Sequence, residues 1–205
     1  MSALEEYQIG GYNFLASKNA DNLFRPLSLS YKYQKSSLYR YSLILVSFLE
    51  NRYFARGISM GNIVEETDIA WVAKDYCADF TVVASHELPS TTAGDEVHYI
   101  RADFRTFRFK GLYDLVVIIG ESFEIMRDLD FYIDFIRNHT YDGAEIIFMI
   151  RFYPKDRYID PVSDDIVNAD AFVRKIPFRI KSKFIFNIDD SNDSYTDYFF
   201  SIDKP

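Results

Sequence analysis

Glycines and small polar residues follow the first short apolar run of this sequence, and residues of these types can bind a nucleotide-like ligand. They are Gly57, Ser59, Gly61 and Asn62. A loop that accepts a nucleotide needs glycine where backbone and ligand come close, because a Cβ would clash. The two glycines meet that need in part, since the full Gly-x-Gly-x-x-Gly pattern is absent. A turn glycine that opens a helix explains the same residues.

The next two apolar runs end in residues that could contact a nucleoside. The second run ends at Ala84 and Ser85, where an acid normally binds a ribose hydroxyl, and Glu87 could replace that acid only if its loop folds back. The third run is followed by Asp103 and Phe104. The carboxylate could accept a hydrogen bond from an adenine amino group while the ring covers the base. An aspartate that caps a turn is an equal alternative.

Carboxylates also follow the most apolar run of the chain, which ends at Gly120. Glu121 or Glu124 could hold or deprotonate an amine or a hydroxyl. We take Glu121 as the candidate catalytic residue, Glu124 as a candidate for substrate binding and Gly120 as a candidate for cofactor binding. A glutamate that opens a helix and is stabilised by the helix dipole explains the same residues. Upstream, Tyr31 and Tyr33 could cover a substrate pocket or could pack on the sheet.

The elements that must position these residues alternate along the chain. Hydrophobic spacing predicts helices over residues 36–50, 63–76, 129–137 and 166–173, and strands over 53–60, 79–84, 97–100, 113–120, 144–152, 178–187 and 195–202. Apolar strands separated by helices predict a parallel sheet with helices on both faces. We therefore expect one α/β domain with a doubly wound, Rossmann-like, mostly parallel seven-stranded sheet and an antiparallel C-terminal hairpin. Residues 1–50 would form a helical lead-in or lid, and residues 51–205 the core.

Composition excludes several classes of function. The chain has 205 residues, with 23 Lys and Arg against 31 Asp and Glu, so its net charge of −8 argues against nucleic acid as a partner. With one cysteine and no Cys/His spacing that suits zinc, no metal site is expected. No apolar stretch is long enough to span a bilayer, and the acidic N-terminus is unlike a signal peptide, so a cytoplasmic protein without membrane contact is expected.

Taken together, the order of the elements and the final hairpin resemble a class I S-adenosylmethionine-dependent methyltransferase. Several segments are similar to the nodulation-factor N-methyltransferase (NodS-like) family, namely residues 33–39, 52–61, 113–117, 142–147 and 194–205. The resemblance implies S-adenosylmethionine as cofactor, bound in the crevice at the strand ends. It also implies methyl transfer to an amine or hydroxyl of a small molecule, often a sugar, with an amino sugar as one such acceptor.

The sequence departs from that family at the residues that bind the cofactor. The acid of the family's first strand appears here as Arg56 or Gly57, and the acid after the second strand is missing. The family's His-Trp pair after the fifth strand is Arg151-Phe152, which makes Arg151 a candidate for acceptor binding.

Two interpretations of the motif follow. One is an active methyltransferase with an altered cofactor site, because methyl transfer needs mainly alignment and few catalytic side chains. The other is a degenerate methyltransferase-like domain that acts as a binding or assembly partner, with another protein or a second copy of itself. A nicotinamide-dependent enzyme is less favoured, because it depends even more on the glycine pattern.

Overall fold

The computed structural model contains a single nine-stranded sheet. It describes residues 4–9, 12–17, 37–49, 51–61, 72–85, 97–152, 169–190 and 193–204. The strands are β1 (Leu4–Ile9), β2 (Tyr12–Ser17), β3 (Phe54–Gly61), β4 (Cys77–Ala84), β5 (Val97–Arg101), β6 (Tyr113–Glu121), β7 (Thr140–Phe152), β8 (Arg179–Asp190) and β9 (Asp193–Asp203). The helices are α1 (Ser37–Leu49), α2 (Ser122–Arg127), α3 (Leu129–His139) and α4 (Ala169–Lys175), with a 3₁₀ turn at Lys74–Tyr76.

The strand order is β1-β2-β8-β9-β7-β6-β3-β4-β5. Strands β5, β4, β3, β6 and β7 run parallel to one another, whereas β7 with β9 and β9 with β8 pair antiparallel. The predicted seven-stranded, mostly parallel sheet with a C-terminal hairpin is therefore confirmed.

The N-terminal part of the chain extends this sheet by two strands that the sequence did not predict. β1 pairs with β2, and β2 pairs with β8 through residues 14–16. Without this hairpin, the outer edge of β8 would expose unpaired backbone N–H and C=O groups. Pairing with β2 gives groups on that edge hydrogen-bond partners. The helix predicted over residues 36–50 is present as α1, and the described residues further upstream, 4–9 and 12–17, form strands.

Two apolar cores cover the two faces of the sheet. One core packs beneath α1 and includes Leu45, Val117 and Met149. The other packs beneath α2, α3 and α4 and includes Met60, Ile118 and Phe135. Central strand β6 is buried on both faces, which explains its continuous apolar sequence. In the described part of the chain, no helix is long and apolar enough to cross a membrane.

Some element boundaries differ from the sequence-based expectation. The predicted helix over 63–76 is described only from residue 72 onward, where a last helical turn runs into the 3₁₀ turn. Helix α2 was not predicted. Strand β7 begins at Thr140 rather than 144, because an irregularity beside Gly143, at φ +80°, lets the chain bend and still continue the pairing with β6.

Candidate active site at the carboxyl edge of the sheet

The carboxyl edge of the parallel strands is stepped. Gly61, the last residue of β3, lies opposite Ala84 of β4 and Ile119 of β6. Strand β6 continues to Glu121, which lies opposite Arg151 of β7. Two further residues of strand extend the β6 and β7 side of the edge by about 7 Å. The step falls between β3 and β6, where the strand order reverses, and ligands bind at such a point in open α/β sheets.

A row of charged residues lies on the longer side of this step. Glu121, Arg151 and Asp197 are neighbours in register on β6, β7 and β9. The neighbouring row on the same face, two residues further into the sheet on each strand, consists of buried apolar residues: Ile119, Met149 and Phe199. The face beneath α1 therefore changes from apolar to charged at the row where a ligand would be met.

Arg151 and Asp197 form a buried ion pair. The Arg151 Nε lies 2.8 Å from Asp197 Oδ1, and its Nη2 lies 3.3 Å from Oδ2. The side chain of Arg151 is 13% exposed and that of Asp197 is fully buried. Burying two charges carries a large desolvation cost that an ion pair often does not repay, so such a pair is weak evidence for stability and stronger evidence for a site.

Two tyrosines complete this cluster. The hydroxyl of Tyr41, on α1, donates to Asp197 Oδ1 at 3.2 Å. The guanidinium of Arg151 lies 4.2 Å from the ring centroid of Tyr195 and 5.7 Å from that of Tyr41. The bidentate pair and the two rings together fix the position of the guanidinium at the strand end.

Helix α2 begins directly at the end of β6. Glu121 is half-buried and adopts extended backbone angles, φ −79° and ψ 148°, immediately before the first residue of the helix. A Cβ on Gly120 would lie 3.3 Å from Ile125 Cγ1 and 3.9 Å from Glu124 Oε2. The glycine thus allows α2 to pack on the strand end, and it brings Glu124 to the same end of β6 as Glu121.

The glycines predicted to contact the cofactor are used for packing within the sheet. A Cβ on Gly57 would lie 2.5 Å from the ring of Phe80 and 2.8 Å from the Cys77 sulfur, and this residue lies in the strand about 13 Å from its carboxyl end. A Cβ on Gly61 would overlap the carbonyl oxygen of Ile119. The prediction for Gly57 is therefore wrong, and Gly61 lies at the carboxyl edge but is buried against the neighbouring strand β6.

The remaining described candidates on β3 and β4 have small side chains and differ in exposure. Ser59 is fully buried on the face beneath α1, and its Oγ has no hydrogen-bond partner among the described residues. Ala84 is buried and Ser85 is exposed. The residues described at the end of β4 include no carboxylate, and Glu87 lies outside the described residues.

Asp103 lies two residues beyond β5 in a tight turn. Its Oδ1 accepts hydrogen bonds from the backbone N–H and the Nε of Arg105 at 3.0 and 2.9 Å, and its Oδ2 accepts one from Nη2 at 2.8 Å. These bonds lower the pKa of the Asp103 carboxyl below its ordinary value. The carboxylate is 39% exposed, so it is held ionised at the surface of the crevice.

Phe104 is a core residue. Its ring is 2% exposed and stacks on Tyr132 of α3 with centroids 5.4 Å apart. The predicted cover for an adenine base is therefore wrong, because the ring surface is already used by the core. Met60, another bulky residue at this edge, is buried in the same core, on the face opposite to Ser59 and Gly61.

Three of the predicted site residues, Tyr31, Tyr33 and Asn62, lie outside the described residues. Among the residues that are described, no group of three His, Cys, Asp or Glu side chains could hold a metal ion.

Sequence reasoning missed Asp197 and Tyr41. Asp197 interrupts a run of aromatic and apolar residues in the last strand, and a carboxylate in such a run is a usable signal.

Comparison with known proteins supports the fold rather than a sequence family. No protein-family model matches the chain, and no curated protein matches it. The N-methyltransferase NodS from Bradyrhizobium japonicum WM9, in complex with S-adenosyl-L-homocysteine, is similar in structure with a TM-score of 0.60 and 13% identity; the match covers 92% of this chain and 100% of that chain.

Two further solved structures show the same similarity. A methyltransferase from Thiobacillus denitrificans, also in complex with S-adenosyl-L-homocysteine, matches at 12% identity over 81% of this chain and 91% of that one, with a TM-score of 0.56. YjhP from E. coli matches at 10% identity over 81% and 92%, with a TM-score of 0.58. The chain has the fold of class I S-adenosylmethionine-dependent methyltransferases.

Proposed function

We propose that this protein is an S-adenosylmethionine-dependent methyltransferase that acts on an amine or hydroxyl of a small molecule, with sugars as the acceptor class. The observation that carries the proposal is the charged row of Glu121, Arg151 and Asp197 at the carboxyl edge of the sheet. A buried ion pair is weak evidence for stability, because hydrophobic residues of similar volume often replace such a pair at little cost.

The residues at the ends of β3, β4 and β5, on the shorter side of the step, suit the adenosine part of such a cofactor. Three hydrogen bonds from Arg105 occupy three of the roughly four acceptor positions on the Asp103 carboxylate, which leaves a position on Oδ2 for an amino group. Gly61 and Ala84 end β3 and β4 without a long side chain that projects beyond the strand ends. When bound, S-adenosylmethionine supplies a methyl group activated by its positively charged sulfur.

The charged row suits the acceptor. Arg151, held by Asp197 and flanked by two tyrosine rings, offers a fixed guanidinium that orients a polar acceptor. Glu121, one strand away in the same row, removes a proton from the amine or hydroxyl so that its lone pair is available. The contact of Tyr41 with Asp197 supports the role of the N-terminal segment as a cover of this site.

A second candidate function is a methyltransferase-fold protein without catalysis that serves as a binding or assembly partner. It is favoured by Gly57 and Gly61, whose lack of side chains serves packing within the sheet, and by the missing acid at Ala84 and Ser85. The two candidates differ in one measurable property, which is binding of the cofactor.

Thermal melting with S-adenosyl-L-homocysteine separates them. A ligand at about 100 times its dissociation constant stabilises a folded protein by roughly 2.7 kcal/mol, so the melting temperature should rise. We expect Asp103→Ala to abolish the shift, and Asp130→Ala, which removes an exposed aspartate on α3, to keep it. No shift of the unmodified protein at millimolar ligand favours the second candidate.

A methyl-transfer assay then tests Glu121. With aminated and hydroxylated sugars as acceptors, Glu121→Gln should lower kcat by about 10²-fold or more, because general base catalysis typically contributes that much. Cofactor binding should be unchanged in this variant, since Glu121 lies on the acceptor side of the step. Full activity of Glu121→Gln would remove this residue from the mechanism.

A further inference from the structure

A pocket with a volume of about 220 Å³ lies on the side of the molecule that carries α3. It is lined by Phe107, Phe109, Phe131, Asp134, Phe135, Asn138 and His139. His139 ends α3, and its Nδ1 lies 3.4 Å from the carbonyl oxygen of Gly111, just before β6 begins. The pocket therefore extends toward the amino ends of the parallel strands, away from the charged row at Glu121.

Four phenylalanine rings form most of the wall. Phe109 meets Phe107 edge to face with centroids 4.9 Å apart and an interplanar angle of 81°, and it meets Phe135 at 4.6 Å and 67°. Phe131 lies 6.2 Å from Phe109. Rings set at such angles present faces in several directions around one volume. Phe107, Phe109 and Phe131 pack against the core but are only partly buried, so part of each ring surface stays accessible.

The polar part of the wall consists of Asp134, Asn138 and His139. Asp134 supplies a carboxylate whose side chain is 71% exposed, and among the described residues it pairs with Arg137 at 3.8 Å on the same helix. Such an exposed pair is weak, so it competes little with a bound cation. Arg108 and Lys110 alternate with the two phenylalanines of the loop, but they do not line the pocket.

We propose that this pocket binds a small organic cation of the quaternary ammonium type. The faces of aromatic rings carry negative potential and attract a cation, and a nearby carboxylate adds to that attraction. The volume lies below the range of about 300–1,000 Å³ that is typical for drug-sized ligands, so the occupant is small.

Titration calorimetry with two probes of equal shape tests the proposal. Choline carries a trimethylammonium group, and 3,3-dimethyl-1-butanol is its neutral analogue. We expect choline to bind at least about 5-fold more tightly, a ratio within the range given by cation–π contacts. In proton NMR, the choline methyl signal should move upfield on binding, because the methyl groups lie over ring faces. Equal affinity for the two probes, or no binding of choline, overturns the proposal.

Variants locate the binding. Phe109→Leu, which removes the central ring but keeps an apolar side chain, should weaken choline binding about 5-fold or more. Asp134→Asn should weaken it about 3-fold, whereas Asp130→Asn, the same change of charge elsewhere on α3, should leave it unchanged. If Phe109→Leu does not fold, Asp134→Asn decides, because that residue is exposed. Choline affinity that survives Asp134→Asn or a folded Phe109→Leu overturns the proposal.

Discussion

Removing Arg151 should destabilise the protein strongly, because it leaves the charge of Asp197 buried. In an Arg151→Met variant the fully buried Asp197 carboxylate loses the two hydrogen bonds that the guanidinium donates. Removal of one partner of a buried ion pair typically costs about 3–5 kcal/mol. Since Arg151 itself is 13% exposed, some water reaches the pair, and we expect the lower end, about 3 kcal/mol.

Removing both charges should cost much less than removing one. In a double variant, Arg151→Met with Asp197→Leu, apolar side chains of similar volume replace the pair, and Tyr41 loses its acceptor. We expect a total loss of about 1 kcal/mol, mostly from the unpaired tyrosine hydroxyl. The coupling energy of the two sites is then 2 kcal/mol or more, within the range for contacting residues.

Urea unfolding measures these free energies, with the slope of the transition checked for two-state behaviour. Arg137→Met is the matched control, because its guanidinium is exposed and pairs with Asp134 at 3.8 Å, so its loss should cost less than about 1 kcal/mol. A cost below 1 kcal/mol for Arg151→Met, or a double variant whose cost equals the sum of the single costs, would refute the buried-pair argument.

Three further predictions follow from local contacts. The pKa of the Asp103 carboxyl should lie below its ordinary value in a carbon-13 NMR titration and should rise toward it in Arg105→Gln, because hydrogen bonds from Arg105 favour the ionised form. Any stability that this contact contributes is fully present at a pH above the ordinary pKa of aspartate. It is lost as the pH falls through the lowered pKa that Asp103 has in the folded protein. Gly61→Ala should lower the free energy of unfolding of the ligand-free protein by about 1–3 kcal/mol, because the added Cβ overlaps the backbone of β6. Urea unfolding measures this loss, with Ala55→Val at the exposed start of the same strand as the control. No loss of stability in Gly61→Ala would contradict the packing. Burial raises the pKa of the Cys77 thiol to about 12, so a thiol reagent at pH 8 should react with it only after unfolding. At a pH above the ordinary thiol pKa, ionisation of Cys77 in the unfolded chain should favour unfolding. Rapid reaction of the native protein with the reagent would contradict the burial.

The fold was largely predictable because its central strands are buried on both faces. Val116–Ile119 are all fully buried, and a strand of that kind has an apolar sequence that can be recognised without any partner. The strands at Leu4–Ile9 and Tyr12–Ser17 were missed because their apolar residues do not alternate strictly. Their place is decided by pairing with β8, which is distant in sequence.

The candidate site was predictable only where it follows from the ends of parallel strands. Glu121 and Arg151 end neighbouring strands that run in the same direction, so they meet. Asp197 was missed because it lies early in an antiparallel strand, whose register the sequence does not reveal. Gly57 was assigned to the ligand because a sequence does not distinguish a glycine that makes room for a ligand from one that makes room for Phe80.

The most direct test of the account is a crystal structure of the protein with S-adenosyl-L-homocysteine at millimolar concentration. The account predicts the adenosine beyond the carboxyl ends of β3, β4 and β5, with its amino group in contact with Asp103 and with the charged row on its acceptor side. A structure in which side chains fill that crevice and the ligand is absent, or bound elsewhere, would contradict it.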